Sequence, residues 1–280
     1  MKSIDKFYSA VNNGKHICVG LDTDIKMIPD HLKITDDPIF HFNKAIIDAT
    51  RAKAAAYKLN FAFYEAAGIE GLKSLKRTIE YIGEEIFIIG DAKRGDIGST
   101  SAMYAKSLFD YFNCDSVTLH PYMGYDSIQP FLQYKEKLNF ILTLTSNKSA
   151  RDFESLTLST NEKLYQKVLE KVNEWNRQFA NCGIVFGATQ IAQLQENMQL
   201  IKDLPVLLPG IGAQGGSLEE VVTLVHQNHF TSYLINAGRS IIYASNGSNF
   251  AEKAAEELEK LNAKIALLSS TKSFNAEEAL

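Results

Sequence analysis

The sequence predicts an α/β protein, a (β/α)8 barrel in a single domain, from two observations. Eight short apolar runs alternate with eight longer amphipathic stretches along the chain. The length of 280 residues also fits, since a barrel of this class typically needs about 250 residues. Most of the apolar runs are nearly continuous, which is typical of strands that are buried on both faces of a parallel sheet.

Each strand candidate is bounded by Gly, Pro, Asp or Ser, which favour turns. The eight candidates cover residues 17–21, 54–59, 86–89, 116–119, 140–144, 183–187, 205–208 and 232–236. The helix candidates cover residues 40–51, 61–82, 96–112, 125–134, 161–181, 189–201, 218–227 and 250–261. A doubly wound open sheet would show the same alternation. Its dinucleotide-binding form is disfavoured, because no G-x-G-x-x-G follows the first strand.

We expect the barrel to occupy residues 1–268. The last segment, 269–280, is polar and rich in small residues. We expect it to form a loosely ordered C-terminal tail.

Charge and hydropathy argue against two classes of partner. The net charge is −4 and no strongly basic patch stands out, which argues against nucleic acid. No apolar run approaches the ~18 residues that would span a bilayer, and the first residues lack the apolar core of a secretory signal. We therefore expect a cytoplasmic protein that contacts no membrane and binds a small molecule.

Metal and disulfide chemistry find no support in the sequence. Cys18, Cys114 and Cys182 are odd in number, far apart and set in or beside apolar segments. They are expected to be reduced, buried thiols. No His, Cys and carboxylate residues have the spacing of a metal site. We expect neither a metal nor a cofactor.

Charge is concentrated where the third apolar run ends. Asp91, Lys93, Arg94 and Asp96 follow this run at once, and a helix candidate begins beside them. Asp91 and Lys93 are two residues apart, so both side chains point to the same side of an extended chain. A carboxylate beside an ammonium indicates a reaction centre here, because buried charges are costly unless they are paired or used.

A purely structural interpretation is open for part of this segment. Asp91 and Lys93 could form an ordinary ion pair at a strand end. Asp96 could cap the following helix, with Ser99 and Thr100 in its first turn. Asp96 alone is adequately explained in this way, but the whole run of charges is not.

Polar residues also follow most of the other predicted strands. In a barrel, the C-terminal ends of the strands form the active site, so these residues are expected to meet there. They are Asp22, Lys58, Asn60, Asp91, Lys93, His120, residues 145–147, residues 209–216 and residues 238–240.

The last two segments predict a phosphate site. Loops after the seventh and eighth strands of a barrel often bind phosphate through backbone N–H groups and a helix N-terminus. The glycine-rich segment 210–216 would let the backbone approach an anion, and Arg239 could add a bidentate contact. A phosphorylated substrate is therefore expected.

These motifs identify a resemblance that covers nearly the whole chain. The pattern D-x-K-x-x-D-I-x-x-T stands here as Asp91, Lys93, Asp96, Ile97 and Thr100. With Lys58 and the phosphate segments, it resembles the orotidine 5′-phosphate decarboxylase family, of the longer bacterial type. The resemblance implies cofactor-free decarboxylation of orotidine 5′-phosphate to uridine 5′-phosphate in pyrimidine biosynthesis, with Lys93 stabilising and protonating the C6 carbanion.

The resemblance also implies roles for single residues. The implied catalytic residues are Lys58, Asp91, Lys93 and Asp96. The implied substrate contacts are Asp22, Lys58 and Asn60 at the ribose, Ser146 at the pyrimidine ring, and Gln214, Gly238 and Arg239 at the phosphate. It further implies a homodimer with shared active sites, in which Asp96 and Thr100 come from the neighbouring subunit.

Two other functions are compatible with a phosphate-binding barrel. A sugar-phosphate enzyme, such as a keto-sugar phosphate decarboxylase or a hexulose phosphate synthase, would use magnesium and favour an acidic residue at the end of strand two. Lys58 stands there and would repel the cation. A catalytically silent phosphate-binding barrel is the second alternative. The presence of all four implied catalytic residues, Lys58, Asp91, Lys93 and Asp96, argues against it.

Overall fold

The structure, a computed structural model, describes residues 2–211 and 215–270. Eight parallel strands form a closed barrel in which each strand pairs with the next along the chain, and the eighth pairs with the first. The predicted (β/α)8 class is therefore confirmed. The strands are β1 (Ile17–Gly20), β2 (Ala56–Asn60), β3 (Phe87–Arg94), β4 (Ser116–Leu119), β5 (Leu138–Leu144), β6 (Cys182–Phe186), β7 (Val206–Pro209) and β8 (Tyr233–Ala237).

Helices connect the strands on the outside of the barrel. Those that precede β4 are α1 (Ser3–Asn12), α2 (Asp30–Lys33), α3 (Pro38–Thr50), α4 (Phe61–Ala66), α5 (Gly68–Ile82) and α6 (Gly98–Lys106). Those that follow it are α7 (Tyr125–Leu132), α8 (Leu164–Phe179), α9 (Ile191–Glu196), α10 (Met198–Ile201), α11 (Leu218–Gln227), α12 (Arg239–Ile242) and α13 (Phe250–Ser270). A π-helical turn over Ser107–Tyr111 extends α6.

The structure differs from the sequence prediction in several elements. The helix expected over residues 61–82 is divided into α4 and α5 by Gly68, whose φ is +70°. Helices α1, α2 and α12 were not predicted. Helix α13 covers Phe250–Ser270, so the first two residues of the expected tail are helical. The rest of that tail lies outside the described residues.

Apolar side chains fill the N-terminal half of the barrel. Phe7 and Val11 of α1 pack into this end of the barrel, against Phe87 and Phe140 from the strands. The rings of Phe7 and Phe87 meet edge to face, with centroids 5.9 Å apart. A second, larger core lies between the barrel and its helices. The polar, open end of the barrel is therefore the opposite one.

A buried ion pair attaches α1 to the base of the barrel. Lys6 Nζ lies 2.8 Å from Asp115 Oδ1, and both side chains are less than 10% exposed. Asp115 also accepts hydrogen bonds from the Ser3 hydroxyl and from the backbone N–H of Ile88. The helix is thus held by polar contacts as well as by its apolar face.

Two smaller predictions can be compared with the structure. The three cysteines are buried and none of them forms a disulfide, as predicted. Within residues 2–211 and 215–270, none of the helices combines the length and the apolar character that crossing a membrane requires.

Candidate active site

The C-terminal ends of the strands enclose a cavity of about 280 Å³. Six of the residues to which the resemblance gives a role meet in its wall: Asp22, Lys58, Asn60, Asp91, Lys93 and Ser146. The remaining lining residues are Thr118, Leu142, Thr145, Asn147, Val185, Leu207, Pro209, Gly210 and Asn236. The cavity therefore has a charged side, formed by β2 and β3, and a more apolar side formed by β5 to β7.

Asp91 lies between two lysines. Its Oδ2 atom is 2.7 Å from Lys58 Nζ, and its Oδ1 atom is 2.6 Å from Lys93 Nζ. Lys58 also contacts Asp22 Oδ1 at 3.3 Å. The alternation of side chains along β3 directs Asp91 and Lys93 to the same side of the strand, as the sequence predicted. The side chains of Lys58 and Asp91 are 4% and 8% exposed, whereas that of Lys93 is 50% exposed.

Mutual attraction keeps the buried pair charged. Burial alone would raise the pKa of the Asp91 carboxyl, but the charges of Lys58 and Lys93 outweigh it and hold that pKa well below its usual range. Burial would lower the pKa of Lys58, but Asp91 and Asp22 outweigh it and raise that pKa above its usual value. At neutral pH the cavity therefore presents fixed charges of both signs.

The backbone of Lys93 has an unusual conformation. Its φ is +46°, in the left-handed region that residues other than glycine rarely adopt. The pairing of β3 with β4 also shifts register between Gly90 and Arg94. Strand β3 nevertheless continues to Arg94 through its charged segment, although the sequence prediction ended it at residue 89.

Thr118 connects the two features just described. Its hydroxyl lies 2.8 Å from Asp91 Oδ1 and 3.0 Å from the backbone N of Lys93. The side chain is buried, with 2% of the residue exposed. The sequence analysis treated Thr118 only as part of a strand, although a polar residue in the apolar run 116–119 was the available signal.

The loop after β5 is held by a carboxylate that the sequence analysis did not single out. Glu154 Oε2 accepts a hydrogen bond of 2.7 Å from the backbone N of Thr145, and Glu154 Oε1 accepts one of 2.9 Å from the Thr145 hydroxyl. A close approach from the next strand adds to this, since a Cβ at Gly187 would lie 2.7 Å from the Ser146 backbone N. These contacts place Ser146 at the cavity wall.

The end of β8 contributes a further polar residue to the cavity wall. Asn236 lines the cavity, and its Oδ1 atom is buried without a hydrogen-bond partner among the described residues. An acceptor in that state is available to a donor on a ligand, because a buried polar atom is normally paired. Asn236 thus adds a polar contact on the β8 side.

Two of the predicted phosphate residues, Gly238 and Arg239, do not line the cavity. Gly238 immediately precedes α12, and Arg239 is exposed in the first turn of that helix. Gly210 lines the cavity with a φ of +105°, a conformation that glycine adopts readily. Gln214 lies outside the described residues.

Asp96 and Thr100 do not line the cavity of their own chain. Asp96 Oδ1 accepts a hydrogen bond of 2.8 Å from the backbone N of Ile97. The interpretation of Asp96 as the helix cap is wrong, because Ile97 occupies the N-cap and α6 starts only at Gly98. Gly98 has a φ of +54°, which delays the helix by two residues. Thr100 is exposed in its first turn, as predicted.

Large apolar side chains are exposed on the surface, one of them directly after Asp96 in the chain. Ile97 is 55% exposed and lines a groove between α6 and α7 together with Tyr125. Tyr122 and Phe153 are 80% and 60% exposed, and their rings contact each other at a centroid distance of 6.3 Å. Exposed apolar surface on this scale marks an interaction site more often than a free surface.

Across residues 2–211 and 215–270, no three His, Cys, Asp or Glu side chains are placed to hold a metal ion.

Comparison with known proteins identifies the family. Residues 15–254 match the model of the Orotidine 5′-phosphate decarboxylase / HUMPS family. The chain belongs to this family. The match runs from just before β1 into α13, so all eight strands of the barrel lie within the orotidine 5′-phosphate decarboxylase / HUMPS region and α1 precedes it.

Individual relatives in the family agree with this assignment. The chain is 51% identical over 253 residues to orotidine 5′-phosphate decarboxylase of Flavobacterium johnsoniae, covering 89% of this chain and 92% of that one. It superposes on the solved OMP decarboxylase of Leishmania donovani with a TM-score of 0.78 and 33% identity, covering 94% of this chain and 99% of that one. It also matches UMP synthase of the same organism (TM-score 0.80, 34% identity), covering 94% of this chain and 57% of that longer one.

Proposed function

We propose that the cavity decarboxylates orotidine 5′-phosphate by means of its fixed charges alone, with Lys93 as the proton donor. The reaction itself, orotidine 5′-phosphate to uridine 5′-phosphate, is the carboxy-lyase step of pyrimidine biosynthesis that relatives about half identical over most of both chains are named for. The observation that carries the proposal is the Lys58–Asp91–Lys93 array inside a cavity at the strand ends.

The chemistry requires strong electrostatic stabilisation. When the bond between C6 and the carboxylate breaks, CO2 leaves and the electron pair stays on C6 in the plane of the ring, where the π system cannot delocalise it. An ammonium fixed beside C6 stabilises this charge and then transfers a proton to it. Lys93 is suited to this role, because its Nζ atom is held by Asp91 and its half-exposed side chain lines the cavity.

Asp91 has a second role in this proposal. The substrate carboxylate would lie beside the buried Asp91 carboxylate, and like charges at that distance repel each other. Departure of neutral CO2 removes the repulsion, so the reaction is favoured relative to the bound substrate. Lys58 keeps Asp91 ionised throughout, since it contacts the carboxylate oxygen that Lys93 does not.

The remaining predicted residues are proposed to bind the substrate. Asp22 and Asn60, with Lys58, would hold the ribose hydroxyls, and Ser146 would contact the pyrimidine ring. Gln214, Gly238 and Arg239 would bind the phosphate, whose binding energy would then be used in the transition state. Asp22, Asn60 and Ser146 support this by lining the cavity, and Gly238 and Arg239 by following β8 directly.

We further propose a cytoplasmic homodimer in which Asp96 and Thr100 complete the site of the neighbouring subunit. Both residues lie outside the cavity of their own chain. The exposed side chain of Ile97, which directly follows Asp96 in the chain, supplies the kind of surface that a second copy would cover.

A direct assay tests the proposal against the magnesium-dependent alternative. Purified protein in excess chelator is expected to convert orotidine 5′-phosphate at full rate, followed by the loss of its ultraviolet absorbance. Lys93→Ala is the control. We expect this variant to lose several orders of magnitude in kcat, since acid catalysis contributes about 10²–10⁴-fold and electrostatic stabilisation about 10²–10³-fold. A strict magnesium requirement would instead assign the chain to the sugar-phosphate enzymes, and wild-type turnover by Lys93→Ala would remove Lys93 from the mechanism.

A further inference from the structure

We infer that Thr118 is a positioning residue that fixes both Asp91 and Lys93 in their reactive arrangement. The inference rests on the proposed function and deepens it, because it adds a residue that acts through the charged array. It is drawn from the contacts of a single buried hydroxyl that bridges the side chain of Asp91 and the backbone of Lys93.

The chemistry of the two contacts fixes the direction of each hydrogen bond. A threonine hydroxyl has one proton to donate and can also accept. The backbone N–H of Lys93 can only donate, so the Thr118 oxygen accepts that bond at 3.0 Å. The ionised Asp91 carboxylate can only accept, so the Thr118 proton goes to Asp91 Oδ1 at 2.8 Å. The N–H can only donate and the carboxylate can only accept, and the one Thr118 hydroxyl forms both hydrogen bonds.

The hydrogen bond between Thr118 and the Lys93 N–H stabilises a backbone conformation of Lys93 that is otherwise unfavourable. Lys93 has a φ of +46° at the point where β3 leaves register with β4. A residue with a side chain persists in that conformation only when surrounding contacts hold it. The Thr118 hydroxyl belongs to the opposing strand β4 and accepts the Lys93 N–H, so it holds the ammonium-bearing residue from across the register shift.

The Asp91 contact fixes the plane of the carboxylate. Lys58 binds one carboxylate oxygen, while Lys93 Nζ and Thr118 share the other. The two lysine chains are flexible, whereas Thr118 is a β-branched residue with a restricted side-chain torsion. Without the hydroxyl, the carboxylate would lose its one rigid donor, and both ammonium groups would follow its rotation.

Thr143 is a buried threonine of the same barrel that does not have this positioning role. It is also 2% exposed, on β5, but among the described residues its hydroxyl bonds only to the carbonyl of Ile141 in its own strand, at 3.2 Å. It does not line the cavity. Thr143 therefore provides a matched control for the loss of one buried hydroxyl.

The experiment compares Thr118→Val, Thr118→Ser and Thr143→Val in steady-state kinetics with orotidine 5′-phosphate. We expect Thr118→Val to lower kcat by about 10- to 100-fold with KM within about threefold, because a small displacement of reacting groups has effects of this size. Thr118→Ser keeps the hydroxyl and is expected to restore kcat to within a few-fold of wild type. Thr143→Val is expected to leave both constants unchanged.

Several results would overturn the inference. One is a kcat of Thr118→Val equal to that of wild type, a second is a change confined to KM, and a third is failure of Thr118→Ser to restore kcat in folded protein. If Thr118→Val does not fold, Thr118→Ala removes the same bonds without a new methyl group, and the comparison with Thr118→Ser applies unchanged. An inactive wild-type protein would contradict the proposed function instead, so the two failures are distinguishable.

Discussion

Asp91 illustrates at the residue scale why the charged array is a functional feature. A buried ion pair seldom stabilises a fold more than well-packed apolar residues would, yet Asp91 and Lys58 lie at the top of a barrel that is otherwise closed by apolar side chains. The pKa of Asp91 is lowered and that of Lys58 is raised, so both groups stabilise the folded state while charged. Their contribution is complete between roughly pH 4 and pH 10, the ordinary pKa values of the two side-chain types.

His16 links stability to pH within the neutral range. Its imidazole is buried against the Tyr233 ring, with centroids 4.1 Å apart. Burial lowers the pKa of His16, although a hydrogen bond to the Tyr233 carbonyl partly offsets this. Unfolded, His16 binds a proton near pH 6.5. The unfolded state therefore holds more protons below that pH, and the free energy of unfolding must fall as the pH falls.

We expect the free energy of unfolding to fall less for His16→Phe than for wild type when the pH is lowered from 7 to 5. The phenyl ring can retain the stacking on Tyr233, and it does not titrate. Urea unfolding at both pH values measures the difference, and His229→Asn, a change at an exposed histidine with a φ of +51°, is the control. An equal decrease in wild type and His16→Phe would mean that His16 does not carry the pH dependence.

At the scale of single elements, the sequence predicted those strands and helices that a local pattern of apolar and polar residues determines. The eight strands were recognisable because burial on both faces makes them continuous apolar runs. Strand β3 was ended too early because Asp91 and Lys93 read as the start of a loop, whereas in the barrel they neutralise each other and the strand continues. Helix α1 was missed because its partner is the apolar N-terminal end of the barrel, which no local pattern reveals.

The buried ion pair between Lys6 and Asp115 provides a test of how α1 is held against the barrel. Asp115→Ala would leave the Lys6 ammonium buried without its partner, which typically costs about 3–5 kcal/mol. It would also remove the acceptor for Ser3 and for the Ile88 backbone. We expect a loss of that order in the free energy of unfolding, measured with urea, and an unchanged kcat because Asp115 is at the opposite end of the barrel from the cavity.

An exposed ion pair at the same end of the molecule provides the comparison. Lys2 and Glu136 are 3.3 Å apart, and their side chains are about 60% exposed. Solvent screens such pairs, so Glu136→Ala is expected to change stability by no more than about 1 kcal/mol. A loss from Asp115→Ala no larger than that from Glu136→Ala would show that α1 is held by Phe7 and Val11 alone.

At the scale of the whole molecule, the sequence predicted which strand ends build the site but not the contacts between strands. Six predicted residues line one cavity because a parallel barrel brings all strand ends together. Thr118 and Glu154 were missed because their contacts depend on which atoms of other segments they reach. Spacing along one strand cannot reveal such contacts.

The proposed shared site makes a prediction that only an assembly can meet. Lys93→Ala and Asp96→Ala homodimers should each be inactive, because every site in them lacks one group. After subunit exchange, a mixed dimer contains one site with both lesions and one site with neither. We expect each mixed dimer to regain about half the activity of the native dimer, measured as turnover after mixing while native mass spectrometry follows exchange.

A second mixture shows whether such recovery requires groups from different chains. Lys93 and Asp91 contact each other within one chain, so a mixed dimer of Lys93→Ala and Asp91→Ala retains one lesion in each site and should stay inactive. Recovery of activity in both mixtures would indicate that it does not come from sites shared between the two chains. If exchange is complete and the first mixture still shows no turnover, Asp96 acts within its own chain or not at all. Its observed contact with the Ile97 backbone would then be its whole role.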